Sequence, residues 1–109
     1  VAYDEGLAER ISSSTQHDTD VRVRKMFGGL CYAVNGNMCF GVIGDELMVR
    51  VGTDGYEEAL TRPHAREMDF SGRSQRGMVF VAPKGLTADA DLRDWLERGL
   101  SLARSLPPK

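Results

Sequence analysis

At 109 residues, with 41% hydrophobic and 28% charged side chains, the chain has the size and make-up of one ordinary domain. It is large enough to bury a core without a metal or a disulfide framework. Its 14 bases and 16 acids give a formal net charge of −2, so direct DNA binding, which draws on phosphate neutralisation, ranks behind other readings.

No apolar stretch approaches the length of a membrane span. The opening VAYDEGLAER has two acids and no apolar h-region, so it does not read as a signal peptide, and a cytoplasmic home is the expectation. From about Tyr3 to Ser14, Leu7 and Ile11 stand four apart with Tyr3 and Ala8 nearby, the spacing of a short amphipathic helix. Asp4 and Glu5 lie where the helix dipole favours acids. SSSTQHDTD then has no apolar period and reads as a helix end and a loop.

From Val21 the period becomes two, with Val21, Val23 and Lys25 on one side and Arg22, Arg24 and Met26 on the other. Charges alternating with valines mark a strand near a sheet edge. Phe27-Gly28-Gly29 interrupts it, in the plain reading as a bulge or tight turn, and Leu30 to Val34 resumes the pattern. Asn35-Gly36 signals a two-residue type I′ hairpin, in which both central residues need positive φ. Met38 to Ile43 is the return strand, Gly44-Asp45-Glu46 a second turn, and Leu47 to Val51 a further strand with Leu47, Val49 and Val51 on one face.

Thr53 or Asp54 can cap a short helix through Tyr56, Ala59 and Leu60, which Pro63 stops. HAREMDFSGRSQRG reads as a basic loop, and Met78 to Ala82 as a compact apolar strand. Thr87 or Asp89 can cap a last helix whose stripe is Leu92, Leu96, Leu100 and Ala103, with Trp95 beside it. Residues 107–109 form an exposed tail after a domain of residues 1–106. The order α-β(3-4)-α-β-α implies an α+β two-layer domain, with an antiparallel sheet of about five strands and flanking helices.

The chemistry available is sparse. A two-residue turn at Asn35-Gly36 sets Tyr32 opposite Cys39 and Cys31 opposite Phe40, which leaves the cysteines on opposite faces and unable to form a disulfide. A three-residue loop would reverse that. Small buried thiols are the plain reading; a nucleophilic Cys31 or Cys39 activated by His64 is the sharper one. His17, His64 and the cysteines have no recognised ligand spacing, so no metal or cofactor is expected. The Gly28-Gly29 pair fits neither a dinucleotide loop nor a phosphate loop. Between Arg62 and Lys84 five bases face two acids, in the plain reading a solvated loop face. The five methionines could line an adaptable surface, with sheet packing as the default for those on strands.

Taken together, Lys25-Met26-Phe27-Gly28-Gly29, the Gly44-Asp45 turn leading into Leu47 to Gly52, and Arg62-Pro63-His64 to Met68-Asp69-Phe70 ending at Gly72 resemble the N-terminal domain of the TfoX/Sxy competence-regulator family. The resemblance spans nearly the whole chain. It implies a curved antiparallel sheet with flanking helices, similar to type III secretion chaperones, and a role near bacterial transcriptional or competence regulation. Full-length regulators of that family carry a second, C-terminal domain, and the resemblance here covers the first. No catalytic residues carry across. In family terms Phe27, Gly28, Gly29, Asn35, Gly36, Gly44, Asp45, Pro63, Met68, Asp69, Phe70 and Gly72 are structural. Two functions stand open: a non-catalytic interaction module that binds a protein partner or a second copy through a sheet face or edge, and a small-anion or nucleotide site built from Lys25, Arg62, His64, Arg66, Arg73 and Arg76.

Overall fold

Two periodicities run through the chain, and the structure, a computed structural model, turns them into three helices on one face of a six-stranded antiparallel sheet. It describes residues 3–26, 28–70 and 73–109, and of residues 68–70 and 73–76 the backbone alone. The elements are α1 (Glu5–Ser14), β1 (Val21–Met26), β2 (Gly29–Val34), β3 (Asn37–Ile43), β4 (Glu46–Arg50), α2 (Gly52–Leu60), β5 (Ala65–Phe70), β6 (Arg73–Val81) and α3 (Asp89–Ser105), with a short 3-10 turn over Pro83–Leu86. The strand order is β1-β2-β3-β4-β6-β5, so β1 and β5 are the two edges. Among the described residues no helix is long and apolar enough to cross a membrane.

The helical stripes and the strand alternation meet in one core. Leu7 and Ile11 of α1, Tyr56 and Ala59 of α2, and Leu92, Leu96, Leu100 and Ala103 of α3 close over Tyr32, Val34, Val42, Leu47, Val49, Val79 and Val81. Each fully buried leucine there contributes about 2 kcal/mol through apolar area removed from water. On the opposite face Met48 and Phe80 are buried among Met38, Ile43 and Met78, so methionine serves there as sheet packing.

Asp4 caps α1, its Oδ1 accepting the Leu7 amide at 3.1 Å. The caps expected at Thr53 or Asp54 and at Thr87 or Asp89 are not formed: α2 starts after Val51 and α3 after Ala88, neither with a side-chain cap. The sheet itself fixes the start of α2, because the Val51 amide donates to the Gly77 carbonyl at 2.8 Å.

The Asn35-Gly36 turn forms as its residues dictate, with φ of 53° and 82° and Val34 facing Asn37. Past Ala33 and Met38 the register slips by one, so that Tyr32 faces Phe40 and Cys31 faces Gly41. The pairings of Tyr32 with Cys39 and of Cys31 with Phe40 are therefore corrected. Cys39 is the extra residue of a bulge, which lets two successive side chains, Cys39 and Phe40, enter the core. Cys31 lies outside that cluster, and both cysteines are free.

A second correction concerns HAREMDFSGRSQRG, read as a loop: its residues 65–70 form β5 and its residues 73–77 begin β6. Arg66 and Glu67 on this edge strand are exposed, so no apolar alternation marks it; its order comes from pairing with β6, which β4 supports from the other side. Residues 107–109 are exposed as expected, yet tied down: the Lys109 amide donates to the Asn35 carbonyl at 2.8 Å, and Asn37 Nδ2 to the Pro107 carbonyl at 3.0 Å.

Candidate functional site

Edge strand β1 pairs only with β2, in unbroken register from Val21 opposite Val34 to Met26 opposite Gly29. Val21, Val23 and Lys25 share the helix side; Arg22, Arg24 and Met26 share the other. Val21 still reaches the core. Beyond it the helical cover ends, and Val23, opposite the buried Tyr32, is 51% exposed, while Met26 is 37% exposed. These are the two exposed large hydrophobic side chains among the described residues.

The strand is held at its start by α3. Arg104 grips Asp20 with two bonds of 2.9 Å and Asp18 with one of 3.0 Å. Arg93 donates to the Ser14 carbonyl at 2.7 Å and pairs with Asp18 at 3.4 Å and with Glu97. The Arg104 guanidinium holds the Asp20 carboxyl below its ordinary value, and the carboxylates in turn raise the Arg104 guanidinium. Both acids that precede the strand are thus engaged. Arg22 spends its guanidinium on the carbonyls of Thr19 and Val21, at 2.9 and 3.2 Å. Among the described residues Arg22, Arg24 and Lys25 form no ion pair within 4 Å, although Arg22 helps lower the Asp20 carboxyl, so the strand itself carries three cations and no anion.

The four residues proposed for an anion site whose side chains are described do not all converge. Lys25 lies on edge β1 and Arg66 on edge β5, with four strands between them. Arg66 pairs with Glu46 at 2.6 Å and stacks over Phe80 with its guanidinium carbon 4.7 Å from the ring centre. Arg62 turns to the helices, meeting Asp94 at 2.9 Å and Glu58 at 4.0 Å, and Arg98 shares both acids. Hydrogen bonding to Arg98 lowers the Glu58 carboxyl further. Of the four whose side chains are described, Arg62 and His64 come together, in a groove of about 260 Å³ that also holds Lys84, Asp91 and Asp94. In that groove Asp94 is already engaged by Arg62 and Arg98. The side chains of Arg73, Arg76, Met68, Asp69 and Phe70 lie outside the described atoms, as do Phe27 and Gly72 altogether.

A cysteine–histidine pair is not assembled. His64 precedes β5, three strand spacings from β3 and four from β2, or roughly 14 and 19 Å at ~4.8 Å per strand. Burial pushes the Cys39 thiol up to about 12, and raises Cys31 as well despite Arg24 nearby. His64 instead adopts φ 67° in the turn after Pro63, its carbonyl accepting the Ala82 amide at 2.9 Å.

The glycine motifs have structural work. A Cβ on Gly29 would stand 2.0 Å from the Val42 carbonyl oxygen, a clash no rotamer relieves. At the Gly44-Asp45 turn the Gly44 carbonyl accepts the Asp4 amide at 2.7 Å, fastening the N-terminal segment to the sheet. Sequence reasoning missed Arg93, Arg104 and Gly99. A Cβ on Gly99 would lie 2.4 Å from the Cys39 carbonyl oxygen, so this glycine lets α3 settle on the bulge. Its position one residue before Leu100, on the buried stripe, was the available signal.

An open antiparallel sheet backed by helices on one face, ending in a basic edge strand with one side unpaired, defines a small α+β domain whose distinctive surface is that edge. The chain belongs to the TfoX N-terminal domain family, whose model matches residues 14–103, from the end of α1 to the last turns of α3. No curated protein and no solved structure matches it.

Proposed function

We propose that this domain is a non-catalytic interaction module in bacterial transcriptional or competence regulation, and that edge strand β1 is where it meets a protein partner. Family membership supports the regulatory setting. The observation that carries the contact surface is the exposure of Val23 and Met26 on a strand with one side unpaired. An antiparallel ladder turns the amide and carbonyl of every second residue away from its partner strand, so β1 presents a ready row of donors and acceptors. The other edge is less suited: β5 is irregular between Glu67 and Asp69, and such irregularities twist an edge away from further pairing.

A photo-crosslinking residue at position 23, compared with one at the exposed Glu9 on α1, tests this reading in a bacterial lysate. Adducts with a transcription component from position 23, and none from position 9, are expected. Equal adducts from both positions, or none from either, would overturn it.

A further inference from the structure

We infer that the partner at β1 is an acidic, extended segment of another protein, which adds beside β1 as a seventh strand with acids and apolar residues in alternation. This deepens the reading of β1 as the interaction surface and rests on it. Adding a strand to a sheet edge takes affinity from main-chain hydrogen bonds and selectivity from alternate side chains. The alternate side chains of β1 are specific. Arg22 and Arg24 project together on the helix-free side, with Val23 between them on the other. Their nearest acids, Asp18 and Asp20, are already held by Arg93 and Arg104. A complementary strand therefore carries two acids separated by one apolar residue.

The same charges exclude a second copy of this chain. A two-fold pair of β1 strands runs antiparallel, and two registers overlap five of their residues with the faces of both copies matched. The first sets Arg22 opposite Arg24, and the second sets Arg24 opposite itself. Like charges directly opposite are destabilising, so the residues that invite an acidic strand repel the chain's own.

Fluorescence anisotropy on the full 109-residue chain tests the inference with a terminally blocked peptide of alternating glutamate and valine. The comparisons are a shuffled peptide of the same composition and a peptide with lysine for glutamate. Saturable binding is expected only for the alternating acidic peptide, weakened by about tenfold or more in an Arg22→Glu, Arg24→Glu variant, which should then take the lysine peptide. Amide exchange in β1 should slow in the complex. Both substitutions are at exposed positions, and an unchanged melting curve confirms that the variant is folded. Equal binding of the shuffled peptide, no binding, or binding without slowed exchange in β1 would overturn the inference. A partner crosslinked from position 23 that lacks such a segment would overturn the chemistry proposed here while leaving the interaction module standing. Concentration-dependent dimers protected at β1 would replace the acidic partner by a second copy.

Discussion

Cys39 shows what one side chain can and cannot announce. The pair Asn35-Gly36 fixes the hairpin turn locally, because two adjacent positive φ angles suit few other residues. The bulge at Cys39 packs against Gly99 of α3, 60 residues away in sequence, and leaves no local trace. The opposite-face placement of the cysteines was thus legible, but their register was not. A consequence follows for reactivity. With the thiol raised from 9.0 to about 12 by burial, Cys39 stays protonated in the folded chain at pH values where it ionises in the unfolded one. The folded state then holds more protons, so this contribution to stability is present below pH 9.0 and declines as pH rises from there toward about 12. Native alkylation near neutral pH should leave Cys31 and Cys39 largely unlabelled in a mass spectrum, and denaturant should expose both. In Cys39→Ala the cavity lowers stability at every pH, and the alkaline slope measured by urea unfolding should become shallower. Rapid native labelling of Cys39 would contradict its burial.

At the scale of elements, legibility followed exposure. The strands with one face in the core, β2 to β4, announce themselves by apolar alternation, and α3 by its stripe of Leu92, Leu96, Leu100 and Ala103. Edge strand β5 shows no such pattern at exposed Arg66 and Glu67, and pairing with β6 orders it. Edge strand β1 remained readable because Val21 and Val23 keep the period of two. The clamp from α3 to the start of β1 was invisible, since Arg104 and Asp20 are 84 residues apart. That clamp sets a prediction. Arg104→Ala frees the 15–20 segment, and the Val21 amide, which donates to the Asp18 carbonyl at 3.1 Å, should exchange faster by hydrogen exchange. The Asp20 carboxyl is held below 3.8 by Arg104, so the folded state binds fewer protons there. The pair's contribution is therefore complete above 3.8 and lost as pH falls through the folded value. Because Arg104 and Asp20 are 39% and 41% exposed, solvent screening keeps it within about 1 kcal/mol. The acid limb of the stability curve should be shallower in the variant, and an unchanged limb with unchanged Val21 exchange would show that the clamp does not act.

For the whole molecule, the net charge of −2 conceals an uneven distribution. Acids and bases of α2 and α3 neutralise one another through Glu58, Asp94, Arg62 and Arg98, and Glu46 balances Arg66 near the far edge. Among the described residues, strand β1 concentrates three cations and no acid beside two exposed apolar side chains. Composition could not show this, because the cancelling pairs are assembled only by the fold. The family motifs at Gly29, Gly44 and Pro63 build the scaffold, and the distinctive surface lies beside them on the strand that Lys25 and Met26 complete. The central claim is that the outer side of β1 is unpaired in the free chain and becomes paired in a complex. Amide hydrogen exchange along Arg22 to Met26 tests this most directly, read over a range of protein concentrations and again with the acidic peptide. The account predicts fast exchange at alternate positions of the free chain, independent of concentration, and slow exchange at those positions once the peptide is added. Protection already present in the free chain and rising with concentration would contradict it.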